Sequence, residues 1–282
     1  MARITAINVY PIKGCRGIAL ENARIAATGF EHDREWLITR PDGRFMTQRE
    51  EPRLALIETA LVDTQSPEGG ALRLRVPGGS ELSVPLTARG REVEVTCWKD
   101  RCAAFDVGDE AAEFLAGYLG SPVRLVRFDT RRKRPSNPQW TPGVEALNQF
   151  SDGYPWLLIS EASLEDLNAR LERKLPMNRF RPNIVLSGLP PFGEDSAHEF
   201  TAGAVRFRRA KGCTRCIVTT TDQAMGTRDG DEPLRTLAKF RFDRELKGVV
   251  FGQNLILIDG IGAQLRVGQE MEVIGAKPID QG

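Results

Sequence analysis

Histidine is scarce in this chain: His32 and His198 are the only two in 282 residues. Three imidazoles on one metal are therefore impossible, and any metal chemistry has to use other ligands. Cysteine is nearly as sparse. Five cysteines, an odd count spread from Cys15 to Cys216, do not make a disulfide framework and fit reduced thiols in a cytoplasm. No apolar run reaches the roughly 18 residues of a membrane span, and the opening stretch from Met1 to Ile7 lacks an apolar core long enough for a signal peptide. An excess of one charge is missing too. The balance of 39 Lys+Arg against 38 Asp+Glu argues against a uniformly basic surface that coats nucleic acid. G-x-G-x-x-G, the Walker loop and G-x-S-x-G are absent, and with them those nucleotide-binding and hydrolase sites.

What is present reads mainly as β with a few helices, an α+β chain long enough for one large domain or two modest ones. Short β-branched stretches recur at Ile4 to Val9, Trp36 to Thr39, Leu54 to Val62, Leu72 to Val76, Leu82 to Leu86 and Val93 to Thr96. Turn chemistry separates them, at Pro41 to Gly43, Ser66 to Gly70 and Pro77 to Gly79. Alternation from Leu72 to Val76 predicts a strand with one wet face. Later strands are predicted at Trp156 to Ile159, Asn183 to Ser187, Val205 to Arg208, Ile217 to Thr221, Leu255 to Ile258 and Met271 to Ile274. Three helices are predicted. The first is capped by Asp109 and stopped by Gly120, the second is capped by Ser160 with Leu164, Leu167 and Leu171 as its stripe, and the third is capped by Asp231. Between the first two lies a long aperiodic loop, residues 130–150, carrying Arg131, Arg132, Lys133 and Arg134. The expected division is residues 1–129 as a β-rich N-terminal module and residues 130–282, with that loop leading in, as a second and mostly strand module.

Chemistry concentrates around Cys213-Thr214-Arg215-Cys216. A thioredoxin-like Cys-x-x-Cys opens a helix, whereas Ile217 to Thr221 has strand composition, which places Cys216 on a strand. A zinc site would need Cys97 and Cys102 as further ligands; packing as small buried hydrophobes is the plain alternative. Arg206, Arg208, Arg209, Lys211 and Arg215 crowd one segment without an acid. That favours a thiolate or an anionic ligand as much as a basic strand face compensated from elsewhere. Lys13 sits between Pro11 and Gly14 in a glycine-containing turn, either meeting a phosphate or simply exposed. Asp33-Arg34-Glu35 reads on its own as a surface ion-pair cluster.

Taken in order, Tyr10-Pro11-Ile12-Lys13-Gly14-Cys15, Asp33-Arg34 with Trp36, Gln48-Arg49, Pro52-Arg53-Leu54, Ser151-Asp152, Ser160 to Leu164, Phe180-Arg181-Pro182-Asn183 and Cys213 to Asp222 resemble MOSC-domain proteins that carry the associated N-terminal β-barrel domain. Within that family the likeness is to the mitochondrial amidoxime-reducing component and its bacterial counterparts, over about residues 3 to 275. The resemblance implies a β-rich N-terminal domain followed by a MOSC-type β-barrel. It also implies a molybdenum cofactor, a pterin dithiolene holding one molybdenum with a protein cysteine as a further ligand. Carried over residue by residue, Cys216 is the metal ligand and the catalytic residue. Lys13, Gly14, Arg34, Gly153, Tyr154, Arg181, Asn183, Thr214 and Arg215 bind the pterin and its phosphate. Gly14 and Tyr154 stand where the mitochondrial relative has serines and Gly153 where it has a threonine, so only backbone contacts carry over there; Thr214 for serine keeps a hydroxyl. Cys213 is expected to pack.

The implied function is two-electron reduction of small N-hydroxylated substrates such as amidoximes and hydroxylamines, with the oxygen passing to molybdenum. The implied partner is a separate electron-donor protein carrying flavin, haem or iron–sulfur, because no cysteine follows Cys216 to build an iron–sulfur module. Neither nucleic acid nor a membrane span enters, and a cytoplasmic location is expected. The competing reading from another class is a carrier or sulfur-transfer protein for the same cofactor, without turnover of its own.

Overall fold

The computed structural model describes residues 1–64, 69–228 and 230–275. Seven strands close into a barrel: β1 Ala2–Val9, β2 Trp156–Ser160, β3 Ile184–Ser187, β4 Glu199–Ala202, β5 Val205–Thr214, β6 Gly248–Asp259 and β7 Glu270–Ile274. Around the barrel the order is β2-β3-β1-β7-β4-β5-β6, and β6 returns to pair with β2. The β2–β3 pair is parallel and every other seam antiparallel. A parallel pair needs a long crossover, which here contains a helix, Glu161–Ala169. Ile4, Ile7 and Val9 of β1 pack inward against Trp156, Phe200, Phe207, Leu255 and Met271. Burying such side chains stabilises by roughly 1.5–3 kcal/mol each.

Ile18–Leu20 and Phe242–Asp243 extend the barrel sheet beside β1 and β6, and the other strands form separate sheets. One orders Trp36–Thr39, Arg124–Phe128, Asp100–Asp106 and Glu92–Cys97; another orders Glu58–Val62, Ala71–Arg75 and Glu81–Pro85. Within Ala71–Arg75, Leu72 and Leu74 are buried while Arg73 and Arg75 face water, as the alternation predicts. The helix Asp109–Leu119 lays Ala111, Ala112, Leu115 and Leu119 on this core, and Gly120 ends it in the left-handed region. A third small sheet joins Asn22–Ala26 and Gly29–Phe30 to Gln264–Arg266. Ala2–Val9 and Asn22–Ala26 therefore pair with strands from later in the chain. The predominance of β with three short helices among the described residues matches the fold class expected from sequence.

Several local expectations are corrected. Leu54 to Val62 is not one strand: Pro52–Leu56 is a 3₁₀ turn, opened by proline and by Glu51 accepting from Arg53 N, and the strand begins at Glu58. Asp109 does not cap the first helix; its carboxylate takes Arg124 Nη1 at 2.7 Å and Gly108 holds the cap position. Ser160 does cap the second, accepting from Ser163 N. In the third, Leu234–Ala238, it is Glu232 and not Asp231 that accepts the Thr236 N–H, at 3.1 Å. Ile217 to Thr221 is not a strand but mostly a 3₁₀ turn, Ile217–Thr220. Part of the turn expected at Ser66 to Gly70 lies outside the described residues.

Candidate functional site

One cleft draws its walls from both halves of the chain. The first wall is the turn after β1. Gly14 sits at φ +85°, the left-handed region a side chain disfavours. A Cβ on Gly17 would lie 2.4 Å from the Tyr10 ring, so only glycine lets the chain pass there. This turn aims Lys13 inward: its ammonium donates to Phe150 O at 2.8 Å and contacts the Asp152 carboxylate. Lys13 is thus enclosed and not an exposed turn residue.

The second wall is built on Tyr10. Its ring carries two guanidiniums, Arg34 at 4.4 Å and Arg181 at 4.3 Å from the centroid. Both arginines have left-handed backbones, φ +51° and +57°, uncommon for side chains of this size and held by the surrounding structure. Arg34 donates to Asn183 Oδ1 at 2.8 Å and contacts Asp33. Asp33 and Glu35 are buried, so this triplet is an interior network and not a surface cluster. Burial pushes the Tyr10 hydroxyl up to about 12 against the pull of the Arg181 and Arg34 charges. Burial and the neighbouring Arg34 charge lower Arg181 from the ordinary arginine value. Asn183 is occupied by the protein itself, donating to Asn8 O at 3.0 Å and accepting from Leu157 N at 3.2 Å.

The third wall follows β5. Arg215 N donates to Val249 O at 2.8 Å, and the chain then turns so that Cys216, extended at φ −128° and ψ 178°, heads the 3₁₀ turn Ile217–Thr220. The threonines make that turn. Thr219 Oγ1 donates to Cys216 O at 2.9 Å and Thr220 Oγ1 to Ile217 O at 2.8 Å. Cys216 is therefore anchored just beyond a strand, not on one. Arg215 gives one Nη to Phe180 O at 2.7 Å and the other to Cys213 Sγ at 2.9 Å, while its Nε is buried without a partner. Cys213 is consequently more than a packing residue. Thr214 is exposed at the rim, a Cβ on Gly153 would meet no atom within 4 Å, and the Tyr154 ring lies 5.7 Å from Lys211 Nζ.

All ten residues singled out from the sequence, Lys13, Gly14, Arg34, Gly153, Tyr154, Arg181, Asn183, Thr214, Arg215 and Cys216, line this cleft. Of the basic run 206–215, only Lys211 and Arg215 reach it; Arg208 pairs with Glu199. The basic loop is tied up locally. Arg131 pairs with Asp129 and Glu92, Lys133 with Glu145, and Arg134 is buried against Asp100, Asn148 and the carbonyls of Gln149 and Ser151. The zinc alternative fails, because among the described residues no three His, Cys, Asp or Glu side chains gather to hold a metal. Cys97 and Cys102 are buried elsewhere, and burial pushes the Cys102 thiol up to about 11.

Sequence reasoning missed Trp98, Asp152 and Gln48 as lining residues, and Gln223 as the partner that holds Gln48. Trp98 sits at φ +59° on the tip of the hairpin between Glu92–Cys97 and Asp100–Asp106, reaching Asp152 Oδ1 at 2.9 Å. A lone tryptophan in a turn was its only signal. Seven lysines and arginines line the cleft against one acid, Asp152, so the protein leaves it strongly cationic beside a partly exposed thiol. That donor set, with a buried unpartnered Arg215 Nε, suits an anionic ligand bearing a soft metal that needs one sulfur. Among the described residues no helix is long and apolar enough to cross a membrane, a statement about helices alone.

Comparison with known proteins agrees along the chain. Residues 1–122 match the model of the MOSC N-terminal beta barrel domain and residues 146–273 that of the MOSC domain. Mouse mitochondrial amidoxime-reducing component 1 is 35% identical over 95% of this chain and 81% of its own length. The human component 1 is 34% identical with the same coverages, and bovine component 2 is 35% identical over 84% of this chain and 72% of its own.

Proposed function

The chain belongs to the MOSC family with its associated N-terminal β-barrel domain, and from that premise we propose that it is a molybdenum-cofactor oxidoreductase that reduces N-hydroxylated compounds, amidoximes and hydroxylamines among them. The observation that carries the reading is the cleft itself, where the Cys216 thiol lies among seven cations. Cys216 would hold the metal, and Lys13, Arg34, Arg181 and Arg215 would neutralise the pterin phosphate through charge-assisted hydrogen bonds. When bound, the molybdenum centre supplies two-electron oxygen-atom transfer. Each N–O bond broken consumes two electrons and two protons and releases water.

The chain's own contribution is placement. The 3₁₀ turn fixes the direction of Cys216, and the Tyr10 ring fixes the two guanidiniums, so neither ligand nor cradle must order itself on loading. Thr214 and the backbone at Gly14, Gly153 and Tyr154 would complete the contacts to the pterin. Electrons would come from a separate protein carrying flavin, haem or iron–sulfur. Five free cysteines fit a reducing compartment such as the cytoplasm.

Cys216→Ala is expected to lose molybdenum and pterin together, read by elemental analysis and pterin fluorescence, while Cys213→Ala keeps both. Full retention in Cys216→Ala refutes the ligand assignment. Turnover of benzamidoxime with an artificial reductant separates the enzyme from the second reading, a cofactor carrier. That second reading draws on the partly exposed Cys213 thiol held by Arg215, and it predicts loading, or a persulfide on a cysteine, without turnover.

A further inference from the structure

The Lys13 side chain is 11% exposed, and a buried ammonium needs an anion close by. The anion it has is open to water. Asp152 is 78% exposed and is the single acid among the residues lining the cleft. Its carboxylate has two partners, the Lys13 ammonium and the Trp98 indole N–H at 2.9 Å. A Cβ on the next residue, Gly153, would meet no atom within 4 Å, and the Asp152 side chain itself borders solvent. The two donors do not depend on Asp152 for their own positions. Lys13 Nζ is also held by Phe150 O at 2.8 Å and lies 6.0 Å from the Phe45 ring centroid; Arg49 stacks on Trp98 at 4.4 Å. Two fixed donors inside a cationic cleft thus face one monoanion on the solvent side.

We propose that Asp152 is a displaceable counter-ion: in the ligand-free protein its carboxylate occupies the seat on Lys13 and Trp98 that a dianionic phosphate takes, and it turns to solvent when phosphate arrives. The exchange favours phosphate, which brings up to twice the charge and three strong acceptor oxygens. Water already reaches most of the carboxylate, so what it gives up by leaving is the Lys13 ion pair and the Trp98 hydrogen bond, both of which phosphate takes over. Until then it spares the cleft an uncompensated ammonium. The inference rests on the reading of the cleft as the cradle of a phosphate-bearing cofactor, and the test keeps the two apart.

The probe is inorganic phosphate, titrated at pH 8 into the cofactor-free full chain and followed by tryptophan fluorescence. Trp98→Phe is expected to remove the emission change, which assigns the signal to Trp98. Asp152→Asn keeps an oxygen for Trp98 and removes the charge; Asp152→Ser removes both. Each is expected to bind phosphate about tenfold more tightly than the parent chain, the competitor being gone, and Lys13→Met to lose saturable binding. If Lys13→Met loses binding while both Asp152 variants bind no more tightly than the parent, Asp152 is a structural bridge and the inference is overturned, with the cradle standing. If Lys13→Met binds like the parent, the cradle reading falls and this inference with it.

Discussion

Arg34 is flanked by Asp33 and Glu35, and the two carboxylates have different work. Asp33 faces the cleft side, accepting Tyr10 N at 2.8 Å and contacting Arg34, and burial raises its carboxyl above the ordinary aspartate value even beside that charge. Glu35 points away and takes Arg127 Nε at 2.6 Å and His32 Nδ1 at 2.8 Å. Burial would raise Glu35, but the His32 hydrogen bond and the Arg127 charge outweigh it and hold it below its usual 4.5. A depressed acid contributes stability above its unfolded value that is lost as pH falls through the folded one. The parent chain should therefore lose stability as pH drops below about 4.5. Glu35→Gln should flatten that loss and cost about 3 kcal/mol at pH 7 by leaving the Arg127 charge without a carboxylate. Urea unfolding across pH 3 to 7 measures both; a variant as stable as the parent at pH 7 refutes the assignment.

Strands and helices carried most of the legible information. The β-branched runs at Ile4 to Val9, Trp156 to Ile159 and Met271 to Ile274 became barrel staves, and Ser160 and Gly120 bounded helices as their chemistry predicts. Ile217 to Thr221 misled because threonine is both a strand former and a residue whose hydroxyl can return to a carbonyl three back; tertiary placement selected the second. Which residues converge was legible only through the family resemblance, since Lys13, Arg34, Arg181 and Arg215 are far apart in sequence and periodicity says nothing of their meeting. The barrel seam offers a sharper test of an element. Gly252 in β6 has φ +79°, and a Cβ there would lie 2.5 Å from Ile159 Cγ1 and 2.8 Å from Leu158 O of β2. Gly252→Ala should destabilise by about 3 kcal/mol, from overpacking and a strained backbone together. A shift in the thermal midpoint of less than a degree would show that the seam yields.

Across the whole molecule, the two halves meet through a buried amide pair. Gln48 Nε2 donates to Gln223 Oε1 at 3.1 Å, and Gln223 Nε2 returns to Gln48 Oε1 at 2.9 Å. Gln48 also holds Gly14 O at 2.6 Å, and Gln223 Oε1 receives Arg181 Nη1 at 3.4 Å, so the pair links the Lys13 turn to the Arg181 turn. Either single change to alanine strands a buried amide, costing about 1–3 kcal/mol. The double variant should cost clearly less than the sum of the singles, because both orphaned groups leave together. Strict additivity in denaturant unfolding would mean the pair does not couple the halves.

The pairing of β1 has a consequence for synthesis. Its hydrogen-bonded neighbours in the barrel are β3 and β7, so the second residue of the chain waits for the two hundred and seventy-first. At roughly 5–20 residues per second on the ribosome, the sheets between Trp36 and Phe128 have time to settle while β1 is still without its last neighbour. The cleft draws on both that early module and the later strands, and its last lining residue, Asn254, lies in β6. A chain cut before β6 is therefore expected to offer an incomplete seat for a cofactor.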